Sequence, residues 1–179
     1  PARDKQCEVR FKLVRVPRDA ILGEKDEGWE VVETILQKAT SLKCAEMLGA
    51  AQAVLEMTTE YAKNRIQFDK PIGSFQAVQH NLVSLMIEIE GLRYLVYQAA
   101  WQASEGQPSA LLVSMAKKKA NAVYQKTCID GIKLHGAIGF TEELDLGLYH
   151  LNTRASLFTL GDTDFHRERI AKELARIEP

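Results

Sequence analysis

The sequence predicts an all-α fold: an up-down four-helix bundle with an extra C-terminal helix, preceded by a short β segment. Three observations predict it. From Gly28 onward, apolar residues recur every three or four positions, the spacing of one helix face. The interruptions between these runs are short, as in FDKPIGS and EGQPS, so sequential helices are expected to lie antiparallel. Period-two alternation comes before all of this, in the first 23 residues.

That opening, PARDKQCEVRFKLVRVPRDAILG, starts without Met and reads as the tail of a preceding unit. Val9, Phe11 and Leu13 alternate with Arg10, Lys12 and Val14, and Pro17 and Gly23 then bracket a turn. A lone strand is not stable by itself, so the expectation is a strand belonging to a sheet domain upstream. The division is placed accordingly: residues 1–25 as the end of a β-domain and its linker, residues 26–179 as the helical bundle.

The first helix is expected from Glu30 to Asn64, where neither Pro nor a Gly cluster intervenes, giving about 35 residues and roughly 50 Å. Its stripe reads Trp29, Val32, Leu36, Ala39 and Leu42, then Ala45, Gly49, Ala53, Met57 and Tyr61. Ser74 is a suitable N-cap for the second helix, whose stripe is Phe75, Val78, Leu82, Leu85, Ile89, Leu92, Val96 and Ala99. Ser109 is placed to cap the third, with Leu112, Ala116, Ala120, Val123 and Ile132 inward and Gly136 as its stop. A fourth helix is expected over about Asp145 to Leu160 and a fifth over about Asp162 to Arg176.

Composition narrows the function. Across 179 residues, 46% hydrophobic and 26% charged content is ordinary for a globular chain, and a net charge of −1 offers no attraction to nucleic acid or an acidic membrane. No apolar run approaches the roughly 20 residues of a membrane span. Three cysteines, Cys7, Cys44 and Cys128, are odd in number and not spaced as a metal clamp. Free thiols in a reducing compartment, and hence a cytoplasmic chain, are the economical expectation. His80, His135, His150 and His166 are scattered, and the Glu-x-x-His pairs of a di-metal bundle do not occur. No metal site is expected.

Three stretches carry more than periodicity: FKLVRVPRDAILGEKDEGW, RIQFDKPIGSFQ (residues 65–76) and KLHGAIGFTEELDL (residues 133–146). In this order and separation they closely resemble the C-terminal third of the flavin-dependent acyl-CoA dehydrogenases. The resemblance covers nearly the whole chain. It implies a middle β-domain ending near residue 25, then a C-terminal bundle at the core of a tetramer, homomeric or heteromeric. It further implies FAD as cofactor, an acyl-CoA thioester as substrate, hydride transfer to flavin N5, and an electron-transfer flavoprotein as electron acceptor.

By the same resemblance, Arg65 matches the Arg that reaches the FAD pyrophosphate of a neighbouring subunit, a task suited to a forked guanidinium. Gln67 and Phe68 match positions lining the flavin nucleotide, and Phe75 and Gln76 stand at the matching spacing, Gln76 near the adenosine half. Leu134, His135 and Gly136 match a turn whose backbone approaches the neighbour's ADP moiety, where small residues permit close contact. Lys133 stands where the family usually has Gln, and Ala137 where it commonly has a second Gly. Thr163 matches a Thr that hydrogen-bonds the flavin nucleotide.

The stretch LFTLGDTDFHRERI is where the resemblance breaks. Many members carry the catalytic Glu just before Gly-Thr at this turn, and the matching position is Gly161. A second group supplies the Glu from the first long helix, where the matching position is Ala39, followed by Thr40 in place of an Arg. Both base positions are therefore inert. Three explanations stand: a non-catalytic subunit of a heteromeric acyl-CoA dehydrogenase, Asp162 as an alternative base beside its role as helix N-cap, or a flavin monooxygenase-like relative that needs no such base. A purely structural helical module is the non-enzymatic alternative for the isolated chain.

Overall fold

The computed structural model describes residues 7–107 and 109–177. Five helices make up its body: α1 (Gly28–Asn64), α2 (Gln76–Ser104), α3 (Ala110–His135), α4 (Leu146–Phe158) and α5 (Thr163–Ile177). A two-residue-per-strand hairpin, β1 (Ile66–Gln67) and β2 (Lys70–Pro71), pairs antiparallel between α1 and α2 with Ile66 opposite Pro71. The 37 residues of α1 extend it to about 55 Å. Among the described residues, no helix is long and apolar enough to cross a membrane.

The middle helix, α3, packs against all four others. Its buried face includes Ala116, Ala120, Gly131 and other small residues, which let neighbouring backbones approach closely. A Cβ at Gly131 would sit 3.0 Å from Thr58 Oγ1 and 3.2 Å from Val54 Cγ1, so this crossing with α1 depends on the missing side chain. Around α3 the core is completed by Met47, Leu48 and Val54 from α1 and by Leu85, Ile89, Leu92 and Val96 from α2.

Directions follow from contacts at the ends. Tyr61, late in α1, stacks on His135 at the end of α3, so the two helices run the same way and α2 runs against both. α4 returns along α3, and α5 continues in the same sense. Thr163 lies against Asn121, whereas Arg169 reaches Glu33 near the start of α1.

Several sequence expectations change. Residues 8–14 form no strand, and Val9, Phe11 and Leu13 are exposed. Among the described residues no strand lies beside them to satisfy their backbone groups, and a lone strand is not stable by itself. The buried face of α1 is Thr40, Cys44, Met47, Leu48, Ala51, Val54, Leu55, Thr58 and Ala62, rotated from the expected stripe; Trp29 and Leu42 are 67% and 73% exposed. Apolar residues surround α1, so spacing alone admits two faces, and the bulkier Met47, Leu48 and Val54 decide which one packs inward. Ser74 does not cap α2: its hydroxyl donates to the Pro71 carbonyl at 2.7 Å within a 3-10 turn, and the helix starts after Phe75. The expected stripe of α2 holds at Leu85, Ile89, Leu92, Val96 and Ala99. Ser109 accepts from the Leu112 amide at 3.2 Å, the cap expected of it.

Burial pushes the Cys44 and Cys128 thiols up to about 12, from an ordinary value of 9.0. A folded thiol that holds its proton longer than an unfolded one contributes stability that is complete below pH 9 and lost as pH rises towards 12. Chemical denaturation of wild type and Cys128→Ala at pH 8 and pH 10 should therefore show wild type losing roughly 1.4 kcal/mol relative to the variant. An unchanged difference would mean that Cys128 is not buried as described.

Candidate functional site

One group of candidate residues sits where α1 ends. The Arg65 amide donates to Tyr61 O at 2.8 Å, and the Arg65 carbonyl accepts from Ile72 N at 2.8 Å, which closes the hairpin. Its turn places two non-glycine residues in the left-handed region, Phe68 at φ 51° and Asp69 at φ 61°. The hairpin stays tight because Gly73 passes close to α1; a Cβ there would lie 3.0 Å from Ala62 O. Phe75 meets Phe68 edge-on at 6.1 Å, and Lys70 Nζ lies 4.4 Å above the Phe75 ring. Phe68 is nonetheless 86% exposed, an aromatic face with no neighbour on its far side. Arg65 is exposed and forms no ion pair among the described residues. Gln76 opens α2 and is exposed, while the Gln67 amide donates to the Ile66 carbonyl at 2.8 Å.

The end of α3 joins this group through Tyr61. The Tyr61 and His135 rings stack at 4.3 Å, and Tyr61 Oη donates to the His135 carbonyl at 3.3 Å. His135 Nδ1 donates to Gly131 O at 2.8 Å, and the residue is buried. Its imidazole is therefore a structural wedge, and only its backbone is available to a ligand. Gly136 follows at φ 68° and ψ −140°, which L side chains rarely adopt, and it stops α3 as expected. Lys133 is exposed and its ammonium lies 3.2 Å from Asp130 Oδ1. Burial opposes ionisation of Asp130, but hydrogen bonds from Lys126 and Lys133 outweigh it and hold the carboxyl below the usual range. Lys133 thus already has an anion. Leu134 is half-buried beside it.

A second group lies farther along α3, about 21 Å away by the rise from Asn121 to His135. Here α4 ends in a turn with Leu160 at φ 61° and Gly161 at φ 104°. A Cβ on Gly161 would be 2.5 Å from Phe165 Cδ1 and 2.7 Å from His166 Nε2. The position is therefore not simply an empty socket for a carboxylate: backbone and neighbours both exclude a side chain. Asp162 Oδ1 accepts from Phe165 N at 2.8 Å, so its carboxylate caps α5. Thr163 Oγ1 lies 3.5 Å from Asn121 Nδ2.

Gly161 and Thr40 line one cavity of about 180 Å³, together with Leu36, Ser114, His166 and Arg169. Of the two inert base positions only Gly161 lines this cavity; Ala39 does not, although Thr40, the residue after it on α1, does. The Thr40 hydroxyl is spent on Leu36 O at 2.7 Å, and Arg169 is paired with Glu33. His166 Nε2 lies 2.9 Å from the Leu160 carbonyl, while its Nδ1 is buried without a partner. Burial, above all, pulls His166 below its ordinary value. No carboxylate lines this cavity among the described residues.

The residue holding this turn was not singled out by the sequence. Lys117 is fully buried, and its ammonium donates to Asn121 Oδ1 at 2.7 Å, Ser156 O at 3.0 Å and Gly161 O at 3.1 Å. In the run AKKKA it looks like a solvated charge. A signal was present: Lys117 is four residues after Val113 and three before Ala120, on the buried face by helical spacing.

Residues 26–175 match the family model described as acyl-CoA dehydrogenase, C-terminal domain. The short-chain specific acyl-CoA dehydrogenase of Megasphaera elsdenii is 34% identical over 136 residues, 76% of this chain and 36% of that protein. The structure of butyryl-CoA dehydrogenase from the same organism superposes with a TM-score of 0.89 at 29% identity, over 93% of this chain and 43% of the other. A chain of the ChsE4-ChsE5 complex from Mycobacterium tuberculosis gives 0.78 at 34% identity, over 82% of this chain and 40% of that one. The chain spans less than half the length of these relatives. Fold and sequence agree, and the chain belongs to the acyl-CoA dehydrogenase family, whose C-terminal helical domain it matches.

Proposed function

We propose that this chain is the FAD-contacting and oligomerising C-terminal domain of a flavin-dependent acyl-CoA dehydrogenase, and that the proton-abstracting carboxylate comes from another chain. The observation that carries the second half is Gly161. Its backbone angle and the closeness of Phe165 and His166 leave no room for the acid that the family places there. Asp162 next to it is engaged as a cap. The ChsE4-ChsE5 complex supports the heteromeric arrangement, since a similar chain occurs there in a complex of two named components.

The residues present fit FAD. Arg65 offers a guanidinium with no competing anion, Phe68 an exposed aromatic face beside Phe75, and Gly136 a turn without a side chain. These would hold the ADP half of a neighbouring subunit's cofactor, with Gln67, Gln76, Leu134 and the His135 backbone around it. Thr163 would meet the flavin nucleotide at the other group. Lys133, already paired with Asp130, would contribute less to the pyrophosphate than Arg65. When bound, FAD supplies the hydride acceptor for α,β-desaturation of an acyl-CoA. This chain's part is to bind, orient and seal. An outward face of α2 bearing Val83, Met86, Ile87, Tyr94, Tyr97 and Trp101 supports tetramer packing, because contiguous exposed apolar area of this kind marks an interface. Reduced flavin would pass its electrons to an electron-transfer flavoprotein, and the compartment is proposed to be cytoplasmic.

The test is the absorption spectrum of the full-length protein, alone and co-expressed with its sister chain, before and after anaerobic addition of an acyl-CoA panel. Bleaching of the flavin band only in the mixed assembly is expected. Bleaching by the chain alone would overturn the assignment of the base to another chain.

Three variants check the parts. Arg65→Ala should lower flavin content at least about tenfold, the scale of one charge-assisted contact; normal content after gel filtration would remove Arg65 from the site. Gly161→Glu should lose roughly 1–3 kcal/mol in thermal or chemical unfolding without gaining activity, because the acid cannot be seated at this backbone angle. Asp162→Asn should keep both stability and flavin reduction in the mixed assembly, since Asn caps as well as Asp, whereas Asp162→Ala should cost about 1 kcal/mol.

A further inference from the structure

The ammonium of Lys117 is enclosed in protein with three neutral acceptors and no carboxylate in contact. Each acceptor belongs to a different part of the site. Asn121 is one turn along α3, the Ser156 carbonyl belongs to α4, and the Gly161 carbonyl belongs to the turn itself. Asn121 relays the grip, its amide reaching Leu157 O and Thr163 Oγ1, both at 3.5 Å. We propose that Lys117 is the positioning residue of the α4–α5 turn: its three donors, extended from inside α3, fix the backbone that carries Gly161 and Thr163.

The consequence for function rests on the flavin assignment above, because Thr163 is the flavin-facing group of this turn. The geometry of the turn itself does not depend on it. An ammonium has three N–H donors, and here all three are used. A neutral amine has two, so on deprotonation one carbonyl or amide oxygen is left buried and unmet. Such an oxygen costs free energy and the turn relaxes to rehydrate it. The Gly161 carbonyl, at 3.1 Å the longest of the three bonds and beside a cavity, is the one to go.

The surroundings set where this happens. Burial, chiefly, pulls Lys117 down to about 8. From α1, Lys43 lowers it further, while the Cys44 thiol is neutral at this pH. From the turn, the Asp162 carboxylate also opposes. From α5, His166 is held neutral and adds no charge at this pH. From α4 comes only the Ser156 carbonyl. The turn is therefore held at neutral pH and released in mildly alkaline solution.

The experiment uses the full-length protein in its assembled form, with two readouts over pH 6.5 to 9.5. One is FAD affinity by fluorescence titration; the other is the Thr163 methyl signal in protein labelled at threonine methyls. In wild type both should change together with a midpoint near 8. Lys117→Met should weaken FAD about tenfold at pH 7 and abolish the pH step in both readouts. Asn121→Asp gives the ammonium an anion and should move the midpoint upward by at least about one pH unit while FAD still binds, a displacement that a merely structural role for Lys117 would not produce. A step that persists in Lys117→Met, or one that Asn121→Asp leaves in place, would overturn the proposal. If Lys117→Met does not fold, the shift in Asn121→Asp decides. If wild type binds no FAD, the flavin assignment fails, and the Thr163 signal still decides on Lys117.

Discussion

The structure depends on one constraint: α3 is buried around most of its circumference, with a single solvent-facing stripe through Lys118, Ala122, Gln125, Ile129 and Lys133. Each other helix packs directly on it, and small residues at Ala116, Ala120 and Gly131 set how near they come. Polar side chains on its enclosed faces cannot reach water, so they have to find partners inside. Tyr124 donates to the Tyr149 carbonyl, Thr127 to the Val123 carbonyl, and Lys117 to three oxygens at once. Buried polar groups earn their place only when fully satisfied; Thr127 is met within α3, while Tyr124 and Lys117 find partners on α4 and the turn that α3 must hold in register.

The two groups of candidate residues are two ends of this same arrangement. At the C-terminal end of α3, the stack of His135 on Tyr61 locks the hairpin beside the Gly136 turn and leaves Arg65 and Phe68 facing outward. Toward its N-terminal half, Lys117 and Asn121 hold the turn in which an acid is expected and a glycine stands. The turn is thus firmly held where the expected acid is absent. That combination supports the proposal of a domain for cofactor contact and assembly with the base supplied by another chain.

The sequence made most of the fold legible, because long helices with short connections leave few alternatives. The stripe of α2 was readable since its apolar residues occupy one face. α1 was misread since its apolar residues surround it and only packing selects among them. Residues 8–14 show the limit of period two, for alternation describes a strand's faces but supplies no partner. At the site, Gly136 was legible as the stop of α3, while the cofactor roles expected of Arg65 and Phe68 come from the spacing of a motif. His135 ends α3, and the inward stack of its ring is a tertiary fact that spacing does not carry. Lys117 was hidden by composition: three successive lysines read as solvent-facing, and only the helical register distinguishes the first from its neighbours.

The central claim is that this chain positions a flavin and provides no base. It is tested most directly by exchange of the acyl-CoA α-proton with solvent deuterium, followed by mass spectrometry, a readout of proton abstraction alone. The full-length chain without its sister should show no exchange above the uncatalysed rate, and the mixed assembly should exchange readily. Exchange by the chain alone, lost on Asp162→Asn, would contradict the account and place the base in the very turn where Gly161 stands.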